Sequence, residues 1–304
     1  MKVLVTGGAG FIGSHVVETY LEAGHEVGVL DKKAEQDLPQ ALLGRVQYFS
    51  QDITKKGLED VFQVFRPQVV NHHAALINVF DSLVNPVIYT KTNVYGTVRL
   101  LELCQAYGIK QFLFASSVAV YGNSTMFPIT ENQECRPESV YALDKYCGEK
   151  YIDLFKNNFC TTIFRYANVY GPRQNSSAEG GVVAIFASNL KQGKIATIFG
   201  DGNQTRDFIY VKDIAFANLL ATEKQKGGLL NVSSSKEISV NELLKKIQFL
   251  SGKDVPLEYK PARKGDVLRS VLSNKFIKST LKWEPQYSLE SGLKQTLQYF
   301  NISV

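Results

Sequence analysis

Three side chains, Ser117, Tyr141 and Lys145, have the types and spacing to move a proton. Tyr141-Ala-Leu-Asp-Lys145 opens a helical stretch, so Tyr141 and Lys145 fall on one face, one turn apart. An ammonium beside a phenol lowers the phenol's pKa by roughly 1–3 units. That moves a tyrosine towards the range useful for acid–base work near neutrality. Ser117 ends the run Phe112-Leu-Phe-Ala-Ser-Ser117, and its hydroxyl can bond the same substrate oxygen. The set is equipped to take a proton from an alcohol while a hydride leaves its carbon. Taken by itself, Y-x-x-x-K also suits an ordinary amphipathic helix, so its meaning rests on what lies upstream.

Upstream is a glycine-rich turn. Val3, Leu4 and Val5 form a short apolar run, as in a strand buried on both faces. Glycines follow at 7, 8, 10 and 13. Phe11, Ile12, Val16, Val17 and Tyr20 then repeat at helical spacing, and Gly24 stops the helix. The glycines therefore occupy a strand-to-helix turn, where the backbone can approach a diphosphate and the first amides of the helix face it. Gly8-x-Gly10-x-x-Gly13 fits a dinucleotide fingerprint in its required context. A second strand ends in Asp31, about 20 residues on, where an acid that holds a ribose belongs.

These residues need a scaffold, and the chain supplies one. Strands are expected at 2–6, 26–30, 46–50, 68–74, 110–116 and 161–166, with helices near 11–23, 55–65, 84–106 and 141–158 between them. Alternation of this kind gives crossover units, a doubly wound parallel sheet of Rossmann type and helices on both faces. Ligands in such sheets bind at the carboxyl ends of the strands. Gly7, Asp31, Asp52, Ala74, Ala75 and Ser117 all fall there. After Arg165 the pattern changes. A helix near 182–192, a strand at 197–199, a turn at 200–203, a strand at 229–232, and helices near 239–250 and 288–300 around a strand at 255–259 make a smaller mixed α/β region. The expected division is a dinucleotide-binding domain over 1–175 and a substrate domain over 176–304, with the chain returning to the main sheet at about 205–235.

The 304 residues are 44% apolar and 21% charged, as in a soluble globular protein. No apolar run approaches a membrane span. The chain enters a strand at once, without the basic and apolar regions of a signal peptide, which points to the cytoplasm. Cys104, Cys135, Cys147 and Cys160 show no C-x-x-C or metal-ligand spacing and read as reduced thiols. The His72-His73 pair has no evident third ligand, so no metal is expected. The net charge of +5 comes with scattered lysine pairs and no basic patch interleaved with aromatics, so nucleic acid is not an expected partner.

With these motifs in hand, the sequence resembles the extended short-chain dehydrogenase/reductase family. The resemblance is carried by T-G-G-A-G-F-I-G, S-S-V-A-V-Y-G, Y-x-x-x-K and R-Y-A-N-V-Y-G-P-R-Q. It continues through A-E-G-G-V-V-A-I-F at 178–186, I-F-G-D-G-N-Q-T-R-D-F at 198–208, R-K-G-D-V at 263–267 and L-K-W-E-P at 281–285. Within the family it is most similar to bacterial and archaeal UDP-glucose 4-epimerases. It departs from the usual pattern at His73, Leu76 and Val140.

The resemblance implies NAD as cofactor and a UDP-sugar as substrate. It implies that Gly7, Gly10, Phe11 and Ile12 bind the diphosphate of NAD and that Asp31 holds the adenosine ribose. Asp52 and Ile53 would border the adenine, and Ala74, Ala75 and Asn93 would line the trough. For the substrate it implies Asn168, the helix start at Val182 and Val183, Phe199 beside the uracil, Arg206 and Arg263 on the diphosphate, and Asp266 on the uridine ribose. Ser270 would wall the pocket beside the sugar's 2-substituent. Two separated cations, each after a turn, suit a diphosphate, though surface salt bridges would use them as well. Asp31 would repel a 2′-phosphate, which favours NAD despite Lys32-Lys33. A homodimer is expected through the helices near 84–106 and 141–158, where Val94, Val98, Leu101, Leu103, Tyr146, Ile152 and Phe155 exceed one apolar face. The alternatives weighed are a nucleotide-sugar dehydratase or decarboxylase and a non-catalytic NAD-binding regulator. Val118 and Ala119 after Ser117 cannot move a proton, and both Tyr141 and Lys145 are retained.

Overall fold

The computed structural model describes residues 1–176, 181–262 and 267–304. Seven parallel strands form the main sheet. They are β1 (Lys2–Thr6), β2 (Glu26–Asp31), β3 (Gln47–Ser50), β4 (Val69–His72), β5 (Gln111–Ser117), β6 (Cys160–Tyr166) and β10 (Gly228–Val232). Their order is β10-β6-β5-β4-β1-β2-β3, so the chain reverses direction across the sheet beside β1. Alternation along β1 explains its apolar run. Val3 and Val5 join one core with Val16, Val17 and Tyr20 of α1 (Phe11–Glu22) and with Ile214 and Ala221 of α8 (Val211–Lys224). Leu4 joins the opposite core with Leu58 and Phe62 of α2 (Leu58–Phe65), Leu101 and Cys104 of α5 (Gly96–Ala106), and Ile152 of α6 (Val140–Leu154). A strand covered on both faces gains from apolar side chains at every position.

The helix expected near 84–106 is divided. A short α3 (Val79–Val84) is followed by α4 (Pro86–Thr90), a wide π turn over Lys91–Tyr95, and then α5. Pro86 stands at the first position of α4, where its missing N–H costs nothing, and it starts a new helix. Leu101, Leu103 and Ile152, expected at a subunit interface, are buried in the chain's own core. Exposed apolar residues on α4, the π turn and α6 include Val87, Ile88, Tyr95, Leu143, Tyr151 and Leu154.

Past β6, β10 pairs with β6 and so returns to the main sheet. A second small sheet was not anticipated. In it β9 (Thr205–Tyr210) pairs with β7 (Asn168–Tyr170), β11 (Glu237–Ser239) and β13 (Arg269–Ser270). These strands are short, and they pair across a large sequence separation. A separate pair joins β8 (Ala196–Phe199) to β12 (Leu257–Lys260). Around them lie α7 (Val182–Gln192), α9 (Val240–Ser251), α10 (Lys275–Leu281) and α11 (Leu289–Tyr299). Ser239 and Glu242 form a capping box at the start of α9. Among the described residues, no helix is long and apolar enough to cross a membrane.

Candidate active site

The glycine turn ends β1 and starts α1. Gly7 has φ +71°, its amide donates to Leu30 O at 2.8 Å, and a Cβ there would lie 2.6 Å from the amide of Ala74. At Gly13 a Cβ would come within 2.2 Å of Gly7 O. Only glycine permits this closeness of turn, strand and helix. The N-cap of α1 is Gly10, which has no side chain to bond the first-turn amides. They remain available to an anion.

Around this turn is a cavity of about 240 Å³ lined by Gly7, Gly10, Asp31, Asp52, Ile53, Ala74 and Ala75, together with Lys33, Leu76 and Thr92. Asp31 is buried at its edge. One carboxylate oxygen accepts from Ala9 N at 3.0 Å and the other from Lys33 N at 3.1 Å, which turns the group towards the glycine loop. Phe11 and Ile12 line the neighbouring, larger cleft instead. Asn93 lines neither space. Its side chain is clamped to Leu76, accepting from the amide at 2.9 Å and donating to the carbonyl at 3.0 Å. It therefore shapes the trough by fixing the loop after Ala75.

The larger cleft, about 1320 Å³, brings together two of the three candidate proton-moving side chains. Ser117 and Tyr141 both line it, with Phe11, Ile12, Asn168 and Tyr166. Ser117 stands at the carboxyl end of β5, where its oxygen accepts from Ala119 N at 3.2 Å. Tyr141 stands in the first turn of α6, whose N-cap Ser139 accepts from Ala142 N at 3.1 Å. The Tyr141 amide donates to Ser82 Oγ of α3 at 3.2 Å. The two hydroxyl-bearing side chains share this cleft, and Ser117 is near enough to favour ionised Tyr141. Burial raises the Tyr141 phenol, with Ser117 pulling the other way. This differs from the expected lowering, because Lys145 Nζ donates to Ala115 O at 2.8 Å and lies over the Phe114 ring. Burial pushes Lys145 down to about 8, with Asp144 and Glu149 acting in the opposite direction.

A buried network that the motifs did not signal lies behind these groups. Ser116 Oγ donates to Glu149 Oε1 at 2.5 Å, and Arg165 donates to both Glu149 oxygens at 2.9 and 2.6 Å. It ties the end of β5 and β6 to α6. The one available hint was Glu149, one further turn beyond Lys145. Val79, Phe80, Leu83 and Val84 of the cleft's apolar wall were also missed. Their signal was the apolar pairs Val79-Phe80 and Leu83-Val84.

The remaining expected residues are less uniformly placed. Asn168 lines the large cleft and an adjoining space of about 250 Å³ shared with Arg206 and Ser270, and its side-chain oxygen is buried without a partner. Ser270 faces Arg206 in register across β13 and β9. Val182 begins α7, but Val183 is buried in the C-terminal core, so only its backbone could meet a phosphate. Phe199, at the end of β8, lines neither space. Arg263 and Asp266 lie outside the described residues.

The family model described as NAD dependent epimerase/dehydratase matches residues 3–233. The chain belongs to this family. A UDP-glucose 4-epimerase from Mycolicibacterium smegmatis is 38% identical over 309 residues, covering 99% of this chain and 98% of that protein. Among solved structures, a Thermotoga maritima UDP-glucose 4-epimerase with UDP-glucose superposes with TM-score 0.94 at 41% identity, covering 99% of both chains. A Thermus thermophilus UDP-glucose 4-epimerase in complex with NAD gives TM-score 0.93 at 36% identity, covering 100% of both. The family's cofactor, NAD, fits the residues present: a glycine cradle that any Cβ would fill, open first-turn amides for a diphosphate, and the Asp31 carboxylate beside them. In this family member Gly7, Gly10, Asp31, Asp52, Ile53, Ala74 and Ala75 are the residues suited to hold it.

Proposed function

We propose that this protein interconverts the C4 epimers of a UDP-hexose, UDP-glucose and UDP-galactose, through a 4-keto sugar. The observation that carries this reading is the placement of Ser117 and Tyr141 together in a large cleft beside the dinucleotide cavity. Bound NAD supplies a hydride acceptor and donor at the sugar's C4. Tyr141 Oη takes the proton of the 4-hydroxyl and later returns it. Ser117 bonds the same oxygen and holds it in reach. Lys145 contributes positive charge beneath the pair. Val118 and Ala119 offer no acid or base for eliminating water, which favours epimerisation over dehydration.

The apolar wall of Ile77, Phe80, Leu83 and Val84 supports the same reading. It makes few directional demands on a sugar ring, so a ketose can turn and present its other face. Asn168, the amides of Val182 and Val183, and Arg206 are the proposed substrate contacts, with Phe199, Arg263 and Asp266 assigned by resemblance. The division into a cofactor domain over 1–175 and a substrate domain over 176–304 belongs to this reading, as do a homodimer, a cytoplasmic location and a place in galactose metabolism.

The test is to incubate the purified protein with UDP-galactose and analyse the products. Formation of UDP-glucose is expected. A 4-keto-6-deoxy sugar, or no product with NAD bound, would replace this reading with a dehydratase or a non-catalytic binder.

A further inference from the structure

Ser117 is tied locally, its oxygen accepting from Ala119 N at 3.2 Å, and its neighbours carry the longer-range ties. Side chains alternate between the faces of a strand. Ser116 therefore shares a face of β5 with Phe112 and Phe114, whose core includes Ile152 of α6. On α6, Tyr141, Lys145 and Glu149 recur every four residues and so share a side of the helix. Lys145 Nζ donates to Ala115 O at 2.8 Å, and Ser116 Oγ donates to Glu149 Oε1 at 2.5 Å. Two consecutive residues of β5 are thus held by two consecutive turns of α6. Arg165, the register partner of Ser116 on β6, donates to both Glu149 oxygens at 2.9 and 2.6 Å, and both side chains are buried. Its guanidinium lies 4.6 Å from the centre of the Tyr121 ring, at the end of the 3₁₀ turn Val118–Tyr121. One network therefore grips the chain just before Ser117 and just after it.

We propose that Glu149 is a positioning residue for the reaction: by binding Ser116 and Arg165 together it fixes α6 against the end of β5, and so sets Tyr141 relative to Ser117. The inference rests on the reading of these two hydroxyls as the groups that act on the sugar's 4-oxygen. Both must reach one oxygen atom, so a small slide of the helix along the strand end takes one of them out of hydrogen-bond range. Glu149 is matched in charge by Arg165, so it holds geometry and moves no proton. A buried ion pair adds little stability over a well-packed apolar pair of the same volume. What it adds here is direction, because an apolar pair would leave the Ser116 hydroxyl and the strand end without this bond.

The experiment measures kcat and KM for UDP-galactose, NAD content and the thermal unfolding midpoint in Ser116→Ala, Ser116→Thr, Glu149→Gln and the double variant Ser116→Ala/Glu149→Gln. Ser116→Ala removes the link to the strand and leaves the ion pair whole. Its kcat should fall about 10-fold, part of the 10²-fold that a misplacement of about 1 Å can cost. KM and NAD content should stay at the wild-type values. Ser116→Thr keeps the hydroxyl and should restore kcat. Ser116 also borders the large cleft, so the double variant separates positioning from a direct contact of its own. Residues that act as one unit are not additive, and the double variant should lose no more kcat than Glu149→Gln alone. If Glu149→Gln does not fold, the two Ser116 variants decide. A lowered unfolding midpoint with kcat unchanged in Ser116→Ala, a rise in KM alone, or losses that multiply in the double variant would each overturn the proposal. A wild type that does not epimerise UDP-galactose would overturn the functional reading and this proposal with it, whereas an active wild type with an equally active Ser116→Ala would overturn the proposal alone.

Discussion

Tyr141 and Ser117 line one cleft, although they come from a helix start and a strand end 24 residues apart. Lys145, one turn from Tyr141, binds the Ala115 carbonyl instead. The phenol is thus the group that shares the cleft with the serine.

Replacing Tyr141 by Phe should therefore abolish turnover and leave NAD bound, since the dinucleotide cavity is lined by other residues. Acid–base groups contribute about 10²–10⁴-fold. The checks are kcat and the NAD content of purified protein. Retention of more than about a tenth of wild-type kcat would contradict the role given to this residue.

Gly7→Ala should cost both stability and cofactor. At φ +71° with Ala74 N 2.6 Å from the new methyl, either the turn or the strand end must shift. A loss of about 2 kcal/mol or more is expected, the scale of a strained backbone position. Denaturant unfolding and NAD titration measure the two effects separately.

Acid sensitivity should involve His15, whose Nε2 lies 3.0 Å from Pro172 O. Burial, helped by Arg173, pushes its pKa down to about 4, against 6.5 when unfolded. Between those values the unfolded chain binds the extra proton, so stability present above about 6.5 is lost as pH falls towards 4. Thermal midpoints between pH 7 and pH 4.5 should fall less steeply in His15→Gln than in the wild type.

Substrate breadth should depend on Ser270. It is buried beside Arg206 and Asn168, and it lacks the ring that a tyrosine would place there. UDP-N-acetylglucosamine and UDP-N-acetylgalactosamine should be interconverted as well as the plain hexoses. Measuring kcat/KM for both pairs checks this, and Ser270→Tyr should suppress the acetylated pair selectively. Wild-type rejection of that pair would put the restriction elsewhere.

The homodimer should use the outer face of α4, α5 and α6. Val87 is 79% exposed and Leu154 74% exposed, and a groove of about 600 Å³ between these helices is lined by Val94, Tyr95, Val98 and Tyr151. Val87→Asp should yield a monomer in sedimentation with its unfolding free energy within about 0.5 kcal/mol of wild type, as for an exposed substitution. A wild-type monomer at micromolar concentration would refute the assembly.

Much of the chemistry was legible because it depends on local pattern. The glycine spacing, Asp31 at the end of β2, and Tyr141 with Lys145 one turn apart each need only a few neighbouring residues to be meaningful. The main sheet followed for the same reason, since strands covered on both faces are nearly continuous apolar runs and the helices between them repeat at 3.6 residues. The substrate side was harder to read. Strands β7, β9, β11 and β13 are two to six residues long and pair across long stretches of chain, so their meaning lies in partners the local sequence does not display.

The sequence by itself determined the family, the Rossmann-type sheet, the dinucleotide turn and the candidate proton-moving residues. The tertiary structure decided what surrounds them. It brought Ser117 and Tyr141 to one cleft, sent Lys145 to the Ala115 carbonyl, and turned Asn93 onto Leu76 rather than into the trough. It also matched Glu149 with Arg165. Spacing along a helix says which residues share a face. Burial and the partners met across elements decide which charges are cancelled, and those are properties of packing.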